Sequence, residues 1–482
     1  MAKVLLINPP FNISKENYDS SISVGLLCLA SYLDQKGIEV KIIDCVRQKD
    51  HLNLISQELV NTDLVGLSVM TTQIPSALEI SKIIKDFNRD LPVIWGGLHP
   101  TFFPKDTASH DLVDIAVIGE GEETLLEIIQ GQPLDQIKGI AFVEDNKTRV
   151  NPERPLLGIN SIPLPNWNLI PREILDNLDL IPTHTSRGCP HRCTFCVNAI
   201  RKNRWRGRNS QDVLKDLEII KNQWFFKDKP IRFWDEDFFV DKQRSLEIVQ
   251  GMIKNGFNMK WETTIRADYL DDQFMDDPFL ADLKKSGCCL LSFGAESGSD
   301  VILKKLKKGI TVDQIINSAR RCLKHGIIPQ YSFMVGLPGE TRKDINMTIK
   351  LIDQLIKLDD QVQILGPQAF RPYPGSVLYA ECLASGWSAP ESLEGWKKVV
   401  KDELNYLSPR NFPWLDDVDL VESLEAYVRF GAHTIKSALS STIKTNKILK
   451  LSFILLCKIR WKLKFFKWPI EFKIARRAVV KT

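Results

Sequence analysis

No apolar run in the 482-residue chain approaches the roughly 18 residues needed to cross a bilayer, so a membrane-spanning protein is not expected. The opening MAKVLLINPP lacks the basic, apolar and small-residue succession of a secretory signal, and no signal peptide is expected. Ten cysteines are ordinary for this length, and seven of them are scattered singly or as the pair Cys288–Cys289. A disulfide framework is therefore excluded, and a reducing, cytoplasmic setting is expected. The first strand-like run, LLINPPFN, is not followed by G-x-G-x-x-G, which argues against NAD or FAD. Hydrophobic residues at 44% and charged residues at 26% exclude a disordered chain. The length is too great for one ordinary core, so two or three domains are expected.

What is present is an alternation of strand and helix signals. KVLLINPP, EVKIIDC, DLVGLSVMTTQ, PVIWGG and VDIAVIG read as strands, separated by segments of helical periodicity such as VGLLCLASYLDQKG and SALEISKIIKDFNRD. Near-continuous apolar strands of this kind predict a parallel sheet covered on both faces, with ligands beyond the C-terminal strand ends. Residues 1–145 are assigned to this domain and the proline-rich residues 146–182 to a surface linker. Six further strand–helix units, from PTHTSRG to QVQILGPQAF, predict a partial (β/α)6 TIM-type barrel over 183–375. Residues 376–482 are read as a helical extension with a basic amphipathic tail. The fold class is thus α/β, a Rossmann-like parallel sheet followed by a partial barrel.

After the first barrel strand comes GCPHRCTFC, in which Cys189, Cys193 and Cys196 are spaced C-x3-C-x2-C. A zinc site would need a fourth ligand, such as His184 or His191, and there is no second C-x2-C knuckle. Scattered core cysteines fit poorly with the polar Pro190, His191 and Arg192 between them. Three thiolates on a four-iron cube leave one iron open to a further ligand. SRGCPHRCTFC resembles the cysteine motif of the radical S-adenosylmethionine (SAM) superfamily. The resemblance implies a 4Fe-4S cluster whose open iron chelates SAM, and reductive cleavage to a 5′-deoxyadenosyl radical that abstracts hydrogen from substrate. It also implies an electron donor such as flavodoxin or ferredoxin. By the same resemblance, Glu236 or Asp237 in WDEDFF takes the SAM amino group. Arg266 in WETTIRAD pairs with the methionine carboxylate. Ser292 and Glu296 in SFGAESGS lie near ribose or methionine. Gly336 and Gly339 in FMVGLPGET let backbone approach adenine.

The N-terminal LLINPP, VGLSVMTTQ, WGGLHPT and VIGEGEET are similar to the cobalamin (B12)-binding domain of the B12-dependent radical SAM class. A methylthiotransferase would carry three more cysteines there, and only Cys28 and Cys45 precede Cys189. The resemblance implies cobalamin held by Ser68, Thr71, Thr72, Gly96, Gly97, Gly119 and Glu120 at the strand ends. None of the seven histidines stands in D-x-H-x-x-G, so a cobalt ligand from that motif is excluded. Met70, Pro9 and Pro10 are left to face the cobalt, and His99 is read as a loop residue bonded locally, with cobalt ligation the less favoured role. The class mostly methylates carbons too inert for polar chemistry, using one SAM to charge cobalamin and another for the radical. Cyclisation, oxidation or rearrangement, a cobalamin-less radical SAM enzyme and a metal-stabilised binding module are the alternatives.

Arg371, Tyr373 and Pro374 in FRPYPGSVLY read either as a cover over substrate or as a rigid turn. The charge is uneven. From Thr434 to Thr482 there are thirteen Lys/Arg and one acid, Glu471, a net +12, whereas the rest carries −8. KLSFILLCKIRWKLKFFKWPIEFK interleaves apolar and basic residues, which suits an anionic membrane surface and, less well, packing on the acidic body; nucleic acid is the least favoured partner. The expected substrate is a small or lipid-linked molecule, and the expected location is cytoplasmic or peripheral on the inner membrane surface.

Overall fold

The computed structural model describes residues 2–11, 22–200, 204–401, 409–432 and 447–474. The chain divides into two compact units. The first comprises residues 1–183, 219–227 and 388–407; the second comprises 184–218, 228–387 and 408–482.

The first unit is built on β1 (Lys3–Asn8), β2 (Glu39–Asp44), β3 (Leu64–Ser68), β4 (Val93–Gly96), β5 (Ile115–Val117), β6 (Ile140–Glu144) and β7 (Lys147–Val150). Their order is β2-β1-β3-β4-β5-β6-β7. The pairs among β1 to β5 are parallel, and β6 and β7 add antiparallel strands at one edge. Val4 to Ile7 are all buried, as an apolar run between two helical layers requires. The order reverses between β1 and β3, so the crevice of this sheet lies at their C-terminal ends. Beneath it, Trp95 is fully buried among Leu5, Val65, Ile80 and Ile84, and its indole N–H donates to Ser81 Oγ at 2.9 Å.

Three boundaries differ from the sequence reading, the first being that residues 219–227, inside the expected 183–375 barrel, belong to the first unit. The 146–182 stretch is not a draped linker. It contains β7, and Trp167, Ile170, Ile174 and Leu175 are buried; the Asn166 N–H donates to Ser31 Oγ at 2.8 Å. Prolines prevent a long helix there, but the apolar residues between them still leave water. The 376–482 extension is not one object either: Leu393 and Trp396 belong to the core of the first unit.

In the second sheet the order is β15-β14-β13-β12-β11-β8. The strands are β8 (Ile181–Thr183), β11 (Ile231–Phe233), β12 (Trp261–Ile265), β13 (Cys288–Glu296), β14 (Ile328–Val335) and β15 (Gln363–Ala369). Two short strands, β9 (Ser186–Arg187) and β10 (Arg206–Gly207), pair antiparallel beside the cysteine segment. β11 to β15 are parallel in sequence order, as the six expected units require. Helices follow the strands and start on matched caps. Thr311 with Gln314 and Thr341 with Asp344 form capping boxes, and Asp276 accepts from the Phe279 N–H. Burial alternates residue by residue along β14, which leaves Gln330 and Ser332 on the face away from the helices. No helix among the described residues is long and apolar enough to cross a membrane.

Candidate active site

A cavity of roughly 430 Å³ opens on the second sheet. All three cysteines of the C-x3-C-x2-C motif line it, with Glu236, Asp237, Arg266, Ser292 and Glu296 from the predicted set. Gly336 and Gly339 do not line it. Gly336 has φ +81°, its N–H donates to Glu340 Oε2 at 2.5 Å, and an added Cβ would meet Val421 Cγ1 at 3.0 Å. These glycines make a left-handed turn under the helix Val418–Tyr427. Arg371, Tyr373 and Pro374 also lie outside the lining, and Tyr373 is exposed.

The cysteine segment is held at fixed points. Asp235, 2% exposed, accepts from the Thr185 N–H at 2.6 Å, the Ser186 hydroxyl at 2.7 Å and the Thr185 hydroxyl. Thr194, between Cys193 and Cys196, donates its N–H to Leu306 O at 2.9 Å and accepts from the Leu378 N–H at 3.1 Å. None of the ten cysteines is in a disulfide, and no fourth one lines the cavity. Burial pushes the Cys189 thiol up to about 11, a cost that a bound cation would reverse. Three cysteine sulfurs converging on one partly enclosed cavity, with no fourth in its lining, fit a cluster held at three corners.

The acidic neighbours of the cysteines differ in how fully they are engaged. Asp237 Oδ2 accepts from the Tyr269 hydroxyl at 2.9 Å and lies 3.2 Å from His191 Nε2, which is itself 3.1 Å from the Tyr269 oxygen. Cys189, His191 and Asp237 bring one ligand atom each within 4.8 Å of one another, so the zinc alternative with His191 has a geometric basis. Glu236 receives the Gly188 N–H at 3.2 Å, and burial raises its carboxyl above the usual range. Across the cavity, Glu296 is held in the left-handed region at φ +63° and pairs with Lys308 Nζ at 2.8 Å. Burial alone would lower the Lys308 ammonium; the Glu296 carboxylate, together with Cys193, raises it above its usual value. Arg266 is clamped by Asp268 at 2.9 and 3.1 Å and by Lys308 O at 2.6 Å. Ser292 donates to Gln330 Oε1 at 2.8 Å. Asp235, Lys308 and Tyr269 escaped the sequence reading. Asp235 begins the same DED run and carried the one available signal.

At the strand ends of the first unit, the loops after β3 and β4 are stitched together. Val69 N–H donates to Gly96 O at 2.8 Å and His99 N–H to Val69 O at 3.1 Å. Gly97 has φ +99°, and an added Cβ would lie 2.8 Å from Val69 N and 2.9 Å from Val69 O. Ser68 ends β3, and Met70, Thr71 and Thr72 follow it, Met70 being 39% exposed. Gly119 and Glu120 follow β5, and the Gly119 N–H donates to Thr101 Oγ1 at 3.1 Å. His99 is buried between Phe103 and Trp396, at 5.1 and 5.7 Å between ring centroids, with Thr71 Oγ1 3.2 Å from Nδ1. Burial drives its imidazolium down to about 3, so the ring is neutral. Its Nε2 has no hydrogen-bond partner. The Gly97–Val69 approach fixes the two loops against each other, and the small and hydroxyl residues Ser68, Thr71, Thr72 and Gly119 at the strand ends fit the tail of a large cofactor.

The family model for the B12 binding domain matches residues 18–129, and that for the radical SAM superfamily matches residues 183–352. The protein named "Uncharacterized methyltransferase PH0819", from Pyrococcus horikoshii, is 32% identical over 397 residues, covering 80% of this chain and 83% of that one. The chain belongs to the B12-binding branch of the radical SAM superfamily. This radical SAM enzyme takes SAM, a [4Fe-4S] cluster and cobalamin as cofactors, which displaces the zinc alternative. The anaerobic magnesium-protoporphyrin IX monomethyl ester cyclase of Rubrivivax gelatinosus is 25% identical, over 73% of this chain and 65% of its own length. Among solved structures, the radical SAM methyltransferase TsrM from Kitasatospora setae, with tryptophan and a SAM analogue bound, aligns with TM-score 0.72. It is 18% identical and covers 100% of both chains, a likeness of fold.

Proposed function

We propose that this enzyme methylates an unactivated carbon of a small molecule, with cobalamin as the methyl carrier. The observation that carries the reading is the juxtaposition in one cavity of three cysteines outside any disulfide with Glu236, Arg266, Glu296 and Lys308, in a chain that also has a B12-binding domain. When bound, the cluster with SAM supplies hydrogen abstraction by a carbon radical, and cobalamin supplies the methyl group. Cys189, Cys193 and Cys196 hold the cluster as thiolates. Glu236 accepts the SAM ammonium, because Asp237 is already committed to Tyr269 and His191. Lys308 and Arg266, already paired with Glu296 and Asp268, would turn their remaining N–H groups to the methionine carboxylate. Ser292 and Gln330 offer polar atoms to the ribose hydroxyls. Phe195, Phe233 and Trp234 in the lining keep water from a reactive intermediate. A one-electron donor such as flavodoxin or ferredoxin serves the cluster.

The test is anaerobic reconstitution followed by incubation with reductant, methyl-labelled SAM and a small-molecule extract. The expected result is 5′-deoxyadenosine together with label in a new C-methylated compound. 5′-Deoxyadenosine with no label beyond SAM would overturn methylation in favour of a cyclisation or oxidation. Cys193→Ala is expected to lower 5′-deoxyadenosine at least a hundredfold and bound iron to a small residue, read by chromatography and iron assay.

A further inference from the structure

The helix Lys447–Leu463 and the segment after it carry two apolar faces, not one. At about 100° per residue, Ile454, Cys457 and Trp461 share a side, and all three are buried. This side packs in the second unit: Cys457 O lies where a Cβ on Gly431 would fall, at 2.5 Å, and Arg460 and the Tyr427 hydroxyl both reach Glu471. Leu451, Leu455, Ile459 and Leu463 recur every fourth residue on the opposite side and are 51%, 57%, 47% and 68% exposed. Phe465, Trp468, Ile470 and Ile474 continue the exposed surface. Together with Leu456, these make nine of the 26 exposed large apolar residues of the described chain, within 24 positions. Chance scatter of surface apolar residues does not concentrate them this way.

The uncompensated charge on this surface is positive. Lys462 and Lys467 are exposed and make no ion pair among the described residues. The exposed Lys464 and Lys473 are balanced by Asp353 and Asp419. From Thr434 to Thr482 the sequence has thirteen basic residues against Glu471, while the remainder is net acidic. We propose that this outer face is a docking surface for an anionic lipid membrane, with the helix lying in the interface plane. A second copy of the chain would bring like charges together on burying the stripe. A nucleic acid could stack on Phe465 and Trp468 but would leave the Leu451–Leu463 stripe in water, since base stacking does not cover aliphatic side chains. Anionic lipid satisfies both the apolar stripe and the basic rim. At 17 residues the helix lies on such a surface and does not cross it.

The test is flotation of the full-length reconstituted enzyme with vesicles of phosphatidylglycerol and phosphatidylcholine, and with phosphatidylcholine alone. The enzyme is expected to float with the anionic vesicles and to be released by high salt. Leu455→Glu combined with Leu463→Glu, and Lys462→Glu combined with Lys467→Glu, should each cut recovery at least tenfold. Because these residues lie on the solvent side and away from the cavity, 5′-deoxyadenosine formation in vesicle-free buffer should be unchanged in both variants. Absence of flotation, or equal flotation of wild type and variants, overturns the proposal. So does a wild-type dimer, seen by sedimentation, that the leucine variant splits while wild type ignores vesicles.

Discussion

At the scale of single residues, Asp235 does what the neighbouring ligand candidates cannot. It is a buried carboxylate accepting from three donors of the segment that leads into Cys189. Asp235→Ala orphans the Thr185 N–H and loosens that segment, at an expected cost of about 2–4 kcal/mol. A lower Tm and less iron retained after reconstitution would check it. Glu340 is a second such residue. It accepts from the Gly336 and Leu337 N–H groups, while its Oε1 is buried without a partner. Burial raises its pKa from 4.5 to about 7. The folded state then binds the proton more tightly than the unfolded chain, so this contribution to stability is full below about pH 4.5 and lost as pH rises to about 7. Glu340→Gln keeps the acceptor oxygen and removes the ionisation. It should flatten that part of the pH profile and stabilise the protein above pH 7 by on the order of 3 kcal/mol at most, read by denaturant titration at pH 5 and 8. The cysteines were legible because C-x3-C-x2-C is local in sequence. The placement of Lys308 and Tyr269 beside the cysteine cavity, and the different hydrogen-bond partners of Glu236 and Asp237, were not, because they depend on which strand ends converge.

At the scale of elements, the same contrast holds. Parallel strands such as VLLI and LVGL are apolar throughout and announce themselves. β7, KTRV, is a largely exposed edge strand between a turn at Asp145–Asn146 and a proline, so nothing apolar marks it. The loops after β3 and β4 make a prediction of their own. Gly97→Ala places a Cβ against the Val69 backbone and forces a non-glycine residue to φ +99°. A cost of roughly 1–3 kcal/mol is expected, with cobalamin retention, measured by absorbance after gel filtration, falling at least tenfold. Gly25, helical and with nothing within 4 Å of an added Cβ, is the control for stability: Gly25→Ala should not lower it.

At the scale of the whole molecule, alternation of strand and helix signals disclosed two α/β bodies and roughly where each begins. It could not disclose that residues 388–407 return to the first body, since the helix Leu393–Lys401 has no local feature tying it to a sheet over 250 positions earlier. Long-range packing decides that. Trp396 stacks edge-on against His99 and sits in the same core as Trp95.

That return has a consequence for how the protein is made. A ribosome releases the chain from its N-terminus, and the first body would emerge with every strand in hand yet with the place of Trp396 unfilled until some four hundred residues have been translated. His99, Phe103 and the cluster around Ile74 would wait in water meanwhile. A recombinant fragment ending at Thr183 should therefore behave as an incompletely closed body, prone to binding a hydrophobic dye. Supplying a synthetic peptide of residues 388–407 should lower that signal in part, the remainder reflecting the missing residues 219–227, whose Phe225 packs on Trp167.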